Sequence, residues 1–362
     1  MATSRGTWGY RDRFGGRFGR TYFRRFGPGV VSSVGVGTYL GDPTAAVDDD
    51  YRDAVRLALD SGVNLVDTAS NYRCGRSERV VGEALRESDA ARDSVVVASK
   101  AGFLPFDGDR PEDPAAYVRR EFIDTGVVDP AALARGSHCI APGYVDAMLD
   151  RSLDRIGVDA VDLYYVHNPE TQLEARSRAD VYDQLQAAFE TLERRRAAGD
   201  VGRYGVATWS AFRVPPGDDS HLDLGVVLDR AAAAADAVGV DDHGLAAVQL
   251  PFNVAMADAF TVDAHSHGDE TVSALEFCHR EGLSVFAAAA LGQGELAASL
   301  PRDVEAELSG DTTAQRAINF ARSAPAVTAA LVGASSVEHV RENVAAGTFD
   351  PLGAGAFDDV FE

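Results

Sequence analysis

Lysine is all but missing from this chain of 362 residues: of its 34 basic residues only Lys100 is a lysine, and the others are arginine. Isoleucine is scarce too, with four residues. Three cysteines, Cys74, Cys139 and Cys278, are too few and too scattered for a disulfide framework. No run approaches the roughly 18 uncharged apolar residues of a membrane-spanning helix, so no membrane span is expected. Positive charge is the other deficit. Against 56 acidic residues the chain carries a net charge of −22, which argues against nucleic acid as a partner, because phosphate binding needs clustered Lys and Arg. Residues 1–29 are rich in Arg, Gly and aromatics but hold no apolar core, so no secretory signal is expected, and the run after Arg24-Arg25 is too short for a twin-arginine signal. The expected location is the cytoplasm.

What is present is a normal complement for a packed core: 46% hydrophobic and 25% charged residues. Replacement of Lys by Arg together with excess acid reads as a salt-adapted composition, since in molar salt the Debye length falls to about 3 Å and carboxylate repulsion is screened. Acidic clusters such as Asp48–Asp50, Asp218-Asp219, Asp241-Asp242 and Asp358-Asp359 then read as solvated surface. A lysine that escaped this replacement points to a position that needs an ammonium rather than a guanidinium.

Beyond residue 30, short apolar runs alternate with amphipathic stretches eight times. The runs are Val31–Gly37, Val63–Ala69, Ser94–Ala101, Ala160–His167, Arg203–Thr208, Leu245–Phe252, Leu283–Ala290 and Ala326–Gly333, each with the aliphatic character of a buried parallel strand. Helical patterns follow at Tyr51–Leu59, Ser77–Leu85, Tyr144–Ile156, Val181–Arg196, Gly225–Val238, Glu270–His279, Thr313–Arg322 and Val337–Ala345. Gly62, Gly157, Gly199, Gly239 and Gly282 stand where helix ends need positive φ. Eight strand–helix units predict a single (β/α)8 TIM barrel over 1–362. Residues 103–142 form a Pro- and Asp-rich insertion after the third strand, at the barrel end where active sites are built, and read as a lid.

Barrel geometry directs attention to the polar residues that end each strand. The second strand ends Val66-Asp67-Thr68-Ala69 with Asn71-Tyr72 beyond it, the third ends Ser99-Lys100, and the fourth ends His167-Asn168-Pro169. Asp67, Tyr72, Lys100 and His167 therefore share one rim. A phenol titrates near 10, about 3 units above neutrality, or roughly 4 kcal/mol of wrong-state preference. An ammonium beside it is expected to lower that pKa, a carboxylate to hold the ammonium charged, and an imidazole to orient a carbonyl oxygen. This is general acid chemistry at a carbonyl, and it requires a hydride source.

These residues resemble the aldo-keto reductases: Asp67-Thr68-Ala69 with Tyr72, Ser77-Glu78, Ser99-Lys100 and Asp162…His167-Asn168-Pro169. Arg25-Phe26-Gly27 is similar to that family's N-terminal hairpin, Gly35-Val36-Gly37-Thr38 to its first strand and Ser152-Leu153 to a helix motif. Gly205-Val206, Gln249…Asn253, Leu291-Gly292…Gly294 and Gly333-Ala334-Ser335-Ser336…Glu342-Asn343 follow in the family's order. The resemblance implies NAD(P)-dependent reduction of aldehydes or ketones, with Tyr72 as proton donor and Asp67, Lys100 and His167 completing a catalytic tetrad. It further implies a cofactor site at Gly37, Thr38, Tyr39, Asp67, Thr208, Gln249, Leu291, Gly292, Gly294, Ser335, Ser336, His339, Glu342 and Asn343. NADP is the implied cofactor and NAD the alternative. The chain departs from the family's pattern at Ala207-Thr208, where Ser-Asn is usual, and at Ala288-Ala289, where Tyr-Ser is frequent. Positions that often supply a cation to a 2′-phosphate hold Gly333 and His339. These departures keep open an NAD-dependent sugar or alcohol dehydrogenase on the same fold; a nucleotide-binding regulatory barrel is a separate alternative, which an intact tetrad does not exclude.

Other motifs carry less. Gly35-x-Gly37-x-x-x-Gly41 misplaces the third glycine of a dinucleotide fingerprint and is followed by Asp42-Pro43, not by a helix. His138-Cys139 and Cys278-His279 match no zinc spacing, so no metal is expected. Asp263 with His265-Ser266-His267 reads as a solvated loop, His138 as a residue able to reach the pocket from the insertion, and Trp209 and Phe252 as substrate walls or core. The substrate is a small carbonyl or alcohol compound of unspecified identity, and the oligomeric state has no signature. From the solitary lysine it follows that Lys100→Arg, although conservative in charge, will abolish most turnover; wild-type kcat in that variant would remove the argument.

Overall fold

A computed structural model describes residues 1–361; Glu362, the last residue of the expected 1–362 unit, lies outside them. Twelve strands are present among the described residues. β1 (Phe23–Phe26) and β2 (Gly29–Ser32) form an antiparallel hairpin. β3 (Val34–Gly37), β4 (Leu65–Asp67), β5 (Val96–Ala101), β6 (Val161–His167), β7 (Val201–Ala207) and β8 (Leu245–Pro251) follow. β9 (Asp263–His267) and β10 (Glu270–Ser273) make a second hairpin, and β11 (Ser284–Ala288) and β12 (Val327–Gly333) complete the set. β3 through β8, β11 and β12 close into a parallel barrel with β12 paired to β3. Each of the eight apolar runs thus contains one barrel strand, since a strand covered by helices outside and side chains inside must be apolar on both faces.

The helices stop and start where their cap chemistry dictates. Thr44, Ser177, Asp223, Ser273 and Thr312 accept a backbone N–H at helix N-termini; Gly199, Gly239 and Gly282 close the helices that Ser177, Asp223 and Ser273 open, and Gly157 closes Pro142–Ile156, all four in the left-handed conformation.

Three expectations need correction. Val31–Gly37 is not one strand: Ser33 breaks the run, so β2 stays with the hairpin and only β3 enters the barrel. The helix expected over Glu270–His279 begins at Ala274, because Glu270–Ser273 pairs with Asp263–His267 around Gly268 (φ 62°). The solvated loop expected at His265 is therefore strand, with the His265 ring fully buried and bonded to the Phe212 carbonyl (3.0 Å). A helix at Ser4–Phe14 had no apolar periodicity to announce it; it is capped by Thr3 and anchored by the Tyr10 hydroxyl, which donates to the Leu59 carbonyl.

Inside the barrel, Leu65, Val96, Leu163, Tyr165, Phe286 and Leu331 interdigitate, and Phe26 and Val31 of the first hairpin close the layer from the strands' N-terminal end. Phe26 meets Phe286 edge-on (5.5 Å between centroids). Gly205 makes room for the Tyr165 ring: a Cβ there would come within 2.7 Å of it. The strands' C-terminal ends meet in register at the opposite rim, with Gly333 beside Gly37, Gly37 beside Asp67, His167 beside Ala207 and Ala207 beside Gln249. The segment after β5 carries a short helix (Pro114–Val118) and buries Leu104, Val118, Phe122, Val128 and Ile140. Phe26→Ala should remove about 3–5 kcal/mol of stability by opening a cavity under the barrel; chemical denaturation that shows less than about 1 kcal/mol of loss would mean the hairpin only covers that end.

Candidate active site

Strand register alone places Asp67 and Lys100 on adjacent strands, both pointing to the C-terminal rim. The Lys100 side chain is fully buried, and its Nζ donates to Asp67 Oδ2 (2.6 Å), the Thr68 carbonyl (2.7 Å) and the Tyr72 hydroxyl (3.3 Å). Three hydrogens meet three oxygens, which is what an ammonium offers and a planar guanidinium does not. The other Asp67 oxygen accepts from Gln249 Nε2 (2.7 Å), so the carboxylate is held from two sides.

Tyr72 reaches this cluster through an unusual backbone. The three residues after it, Arg73 (φ 48°), Cys74 (φ 57°) and Gly75 (φ 76°), are all left-handed, a strained conformation for the first two. The strain is held by the buried Arg73 side chain, which pairs with Asp48 (2.5 Å) and donates to the Asp42 and Thr44 carbonyls. Behind the strand ends, Ser77 donates to the Thr38 carbonyl (2.7 Å), and Glu78, fully buried, accepts from Ser99 (2.6 Å) and Arg155 (3.3 Å).

The electrostatics depart from expectation at one point. The Tyr72 pKa is not lowered by Lys100 but raised well above its ordinary value, chiefly by burial, with Asp67 and Tyr39 adding to the effect. Desolvation of the phenolate outweighs an ammonium whose own pKa burial has lowered and whose charge Asp67 largely answers. Tyr72 is therefore a phenol at neutral pH. His167 is likewise neutral, held well below its ordinary value by burial, then by Lys100 and His138.

One cavity of about 850 Å³ opens above the cluster, within the size range of cofactor and ligand pockets. Asp67, Tyr72 and His167 line it, while Lys100 lies beneath. Of the residues expected at a cofactor site, Gly37, Thr38, Tyr39, Asp67, Thr208, Gln249, Leu291, Gly294, Ser335, His339, Glu342 and Asn343 line the same cavity. Gly292 and Ser336 do not. Gly292 donates to the Ala289 carbonyl (2.8 Å), and the Ser336 hydroxyl caps the helix Val337–Ala346 by accepting from His339 N (3.2 Å). Thr208 and Gln249 also make protein contacts, to Glu170 (2.8 Å) and Asp67 respectively. Ala288 and Ala289 line the wall, so no aromatic face is offered there.

Several residues of the site escaped the sequence. Phe103 forms a wall, and its only signal was its place two residues after a barrel strand. Trp209 is wall, 45% exposed, whereas Phe252 is core. Glu170 is buried and accepts from Thr208, Trp209 N and Ser210 N, tying the β6 exit to the β7 exit; nothing in its spacing announced this. His138 reaches the site's back wall but does not line the cavity. No group of three or more metal-ligating side chains occurs among the described residues, nor does any helix long and apolar enough to cross a membrane.

The sequence profile of the aldo/keto reductase family matches residues 33–216, just over half of the chain. The chain belongs to the aldo/keto reductase family. Among curated relatives of this aldo/keto reductase, D-threo-aldose 1-dehydrogenase of Pseudomonas sp is 33% identical over 181 residues, covering 49% of this chain and 50% of the relative. The NADH-specific methylglyoxal reductase of Escherichia coli is 29% identical over 143 residues, covering 38% of each. The chain thus spans half or less of the length of these relatives. Among solved structures, an aldo/keto reductase of Klebsiella pneumoniae in complex with NADP and acetate shares the barrel, with a TM-score of 0.62, 23% identity and 94% of each chain covered.

Acid should destabilise this family member through its buried imidazoles. Burial pushes His138 and His265 down to about 4, so between about 6.5 and 4 only the unfolded chain takes up these protons. Stability is complete above that window and falls as pH drops through it, by up to about 1.4 kcal/mol per unit for each group. Thermal unfolding followed from about pH 7 to about pH 4 checks this, and a midpoint unchanged across the window would refute it.

Proposed function

We propose that this aldo/keto reductase is an NAD(P)-dependent oxidoreductase that reduces aldehydes or ketones, with Tyr72 as the proton donor. The observation that carries the reading is the buried Lys100 ammonium bonded at once to Asp67 and to the Tyr72 hydroxyl on the floor of the cavity. The residues present fit the cofactor. The cavity extends from the Tyr72 cluster to the start of the helix Val337–Ala346, and two of its buried wall atoms, Asn71 Oδ1 and His167 Nδ1, have no partner in the protein. Such atoms are costly unless a ligand answers them. Gly294 and the N-terminal end of that helix would hold the phosphates, and Ser335, His339, Glu342 and Asn343 the adenosine end. Bound there, a reduced nicotinamide supplies hydride to a carbonyl carbon.

The chain's own residues account for the rest. His167, neutral, orients the carbonyl oxygen by an imidazole N–H. Tyr72 gives its proton to that oxygen as negative charge develops. Lys100, already within 3.3 Å, then stabilises the phenolate that is left, and Asp67 keeps the ammonium charged. The raised pKa of Tyr72 supports the reductive direction, for which the protonated form is the competent one.

Residues 1–361 are proposed to act as one barrel unit, with the 103–142 segment forming the substrate wall through Phe103. A cytoplasmic, salt-adapted setting is part of the same proposal, supported by the charge of −22, the single lysine and three unpaired cysteines.

Tyr72→Phe should retain binding of NADH or NADPH, read by quenching of nicotinamide fluorescence, and lose at least about a hundredfold in carbonyl reduction. Reduction should stay on a plateau from neutral pH to above about 9, and oxidation of the alcohol should climb with pH, because only the phenolate can accept a proton. Unchanged reduction in the Phe variant would sink the mechanism; failure of both nucleotides to bind would sink the enzyme reading.

A further inference from the structure

The 103–142 segment contributes an imidazole that none of the steps above employs. His138 is fully buried, and its ring sits directly behind the β6 exit. Its Nε2 lies 2.8 Å from the carbonyl oxygen of His167. On the other side of the ring, the Gln172 amide nitrogen is 2.8 Å from His138 Nδ1 and 3.0 Å from the His138 carbonyl. An amide NH2 can only donate, so Nδ1 is the acceptor and Nε2 carries the hydrogen given to His167. The tautomer is thereby set by Gln172, whose own oxygen accepts from Arg176 Nη1 (2.6 Å).

The position of His167 needs such support. The next residue, Asn168, is left-handed (φ 48°, ψ 56°), so the chain turns sharply at the residue after the imidazole. On the β5 side, Gly102 is pressed so close that a Cβ would stand 2.2 Å from the His167 oxygen and 3.0 Å from His138 Nε2. The His138 ring also packs edge-on against Phe103 (4.9 Å), which in turn packs edge-on against His167 (5.4 Å). One buried ring thus touches the backbone of the carbonyl-orienting residue and the aromatic wall beside it.

We propose that His138 is a positioning residue: its Nε2–H, fixed by Gln172, clamps the His167 carbonyl and so sets where the His167 imidazole meets the substrate oxygen. This rests on the reductase reading for its kinetic consequence, though not for its structural one. The 103–142 segment is on this account part of the catalytic scaffold, not only a cover.

The test combines variants with two readouts. His138→Ala should lower kcat about tenfold or more, since a displacement of about 1 Å at a reacting group has large effects, with the nucleotide Kd unchanged. His138→Gln, whose side-chain amide places an N–H near the same point, should recover most of that loss. In a His167→Ala background, His138→Ala should cost little further activity, because a residue that acts through another has nothing left to act on. Independently of turnover, the ring 15N resonances of His167 in 15N-histidine-labelled protein should shift in His138→Ala and return toward wild type in His138→Gln. Full kcat and an unmoved His167 resonance in folded His138→Ala would overturn the proposal. So would equal, additive losses in the Ala and Gln variants and in the His167→Ala background, which would mark a purely structural role. If the wild type turns over no carbonyl with either nucleotide, the reductase reading fails, and the resonance shift alone decides the clamp.

Discussion

A buried ammonium is the constraint around which the C-terminal rim is organised. An ammonium taken from water and left unanswered would lose its charge, at a cost of several kcal/mol. Lys100 keeps company with one carboxylate, one carbonyl and one phenol, and each of these is itself held. Asp67 is fixed by Gln249 from the far side of the barrel, Thr68, just beyond the end of β4, by its N–H, which donates to the Ala98 carbonyl, and Tyr72 by a left-handed turn that Arg73 and Asp48 stabilise. The chain's single lysine is therefore the point where three strands and one strained turn agree.

The same arrangement divides the charge unevenly. Asp67 is shared between the ammonium and an amide, which leaves Tyr72 to feel burial more than attraction. A phenol that keeps its proton and an imidazole that stays neutral make the cavity wall a donor surface, as the proposed carbonyl reduction requires. Negative charge that develops there meets preorganised hydrogens and needs no rearrangement of the protein.

Legibility in the sequence followed burial. Barrel strands are covered on both faces, so all eight appeared as apolar runs, and the polar residues that ended them fell on the right rim. The second hairpin was hidden because Asp263–His267 alternates polar types around one buried ring, a pattern shared with exposed loops. Glu170 and Gln172 were hidden because their partners lie on other segments, with no fixed spacing between them, and for the same reason His138 was legible as a residue near the pocket but not as a contact of His167. The direction of the Tyr72 shift was misjudged for a related reason. Neighbours can be guessed from strand order, but the depth at which a group is buried depends on everything stacked above it.

The seam where the barrel closes has its own implication. At Gly102 and Gly205 the protein itself fills the space a methyl would need, with atoms at 2.2 Å and 2.4 Å. Gly37 and Gly333, paired across the seam and both on the cavity wall, differ: a Cβ at either would meet no protein atom nearer than 4.0 Å. The fold's own packing gives no reason for bare backbone at these two positions. A smooth strip of peptide remains there, running between the chain's first and last barrel strands, with room above it for a flat guest to lie against the main chain.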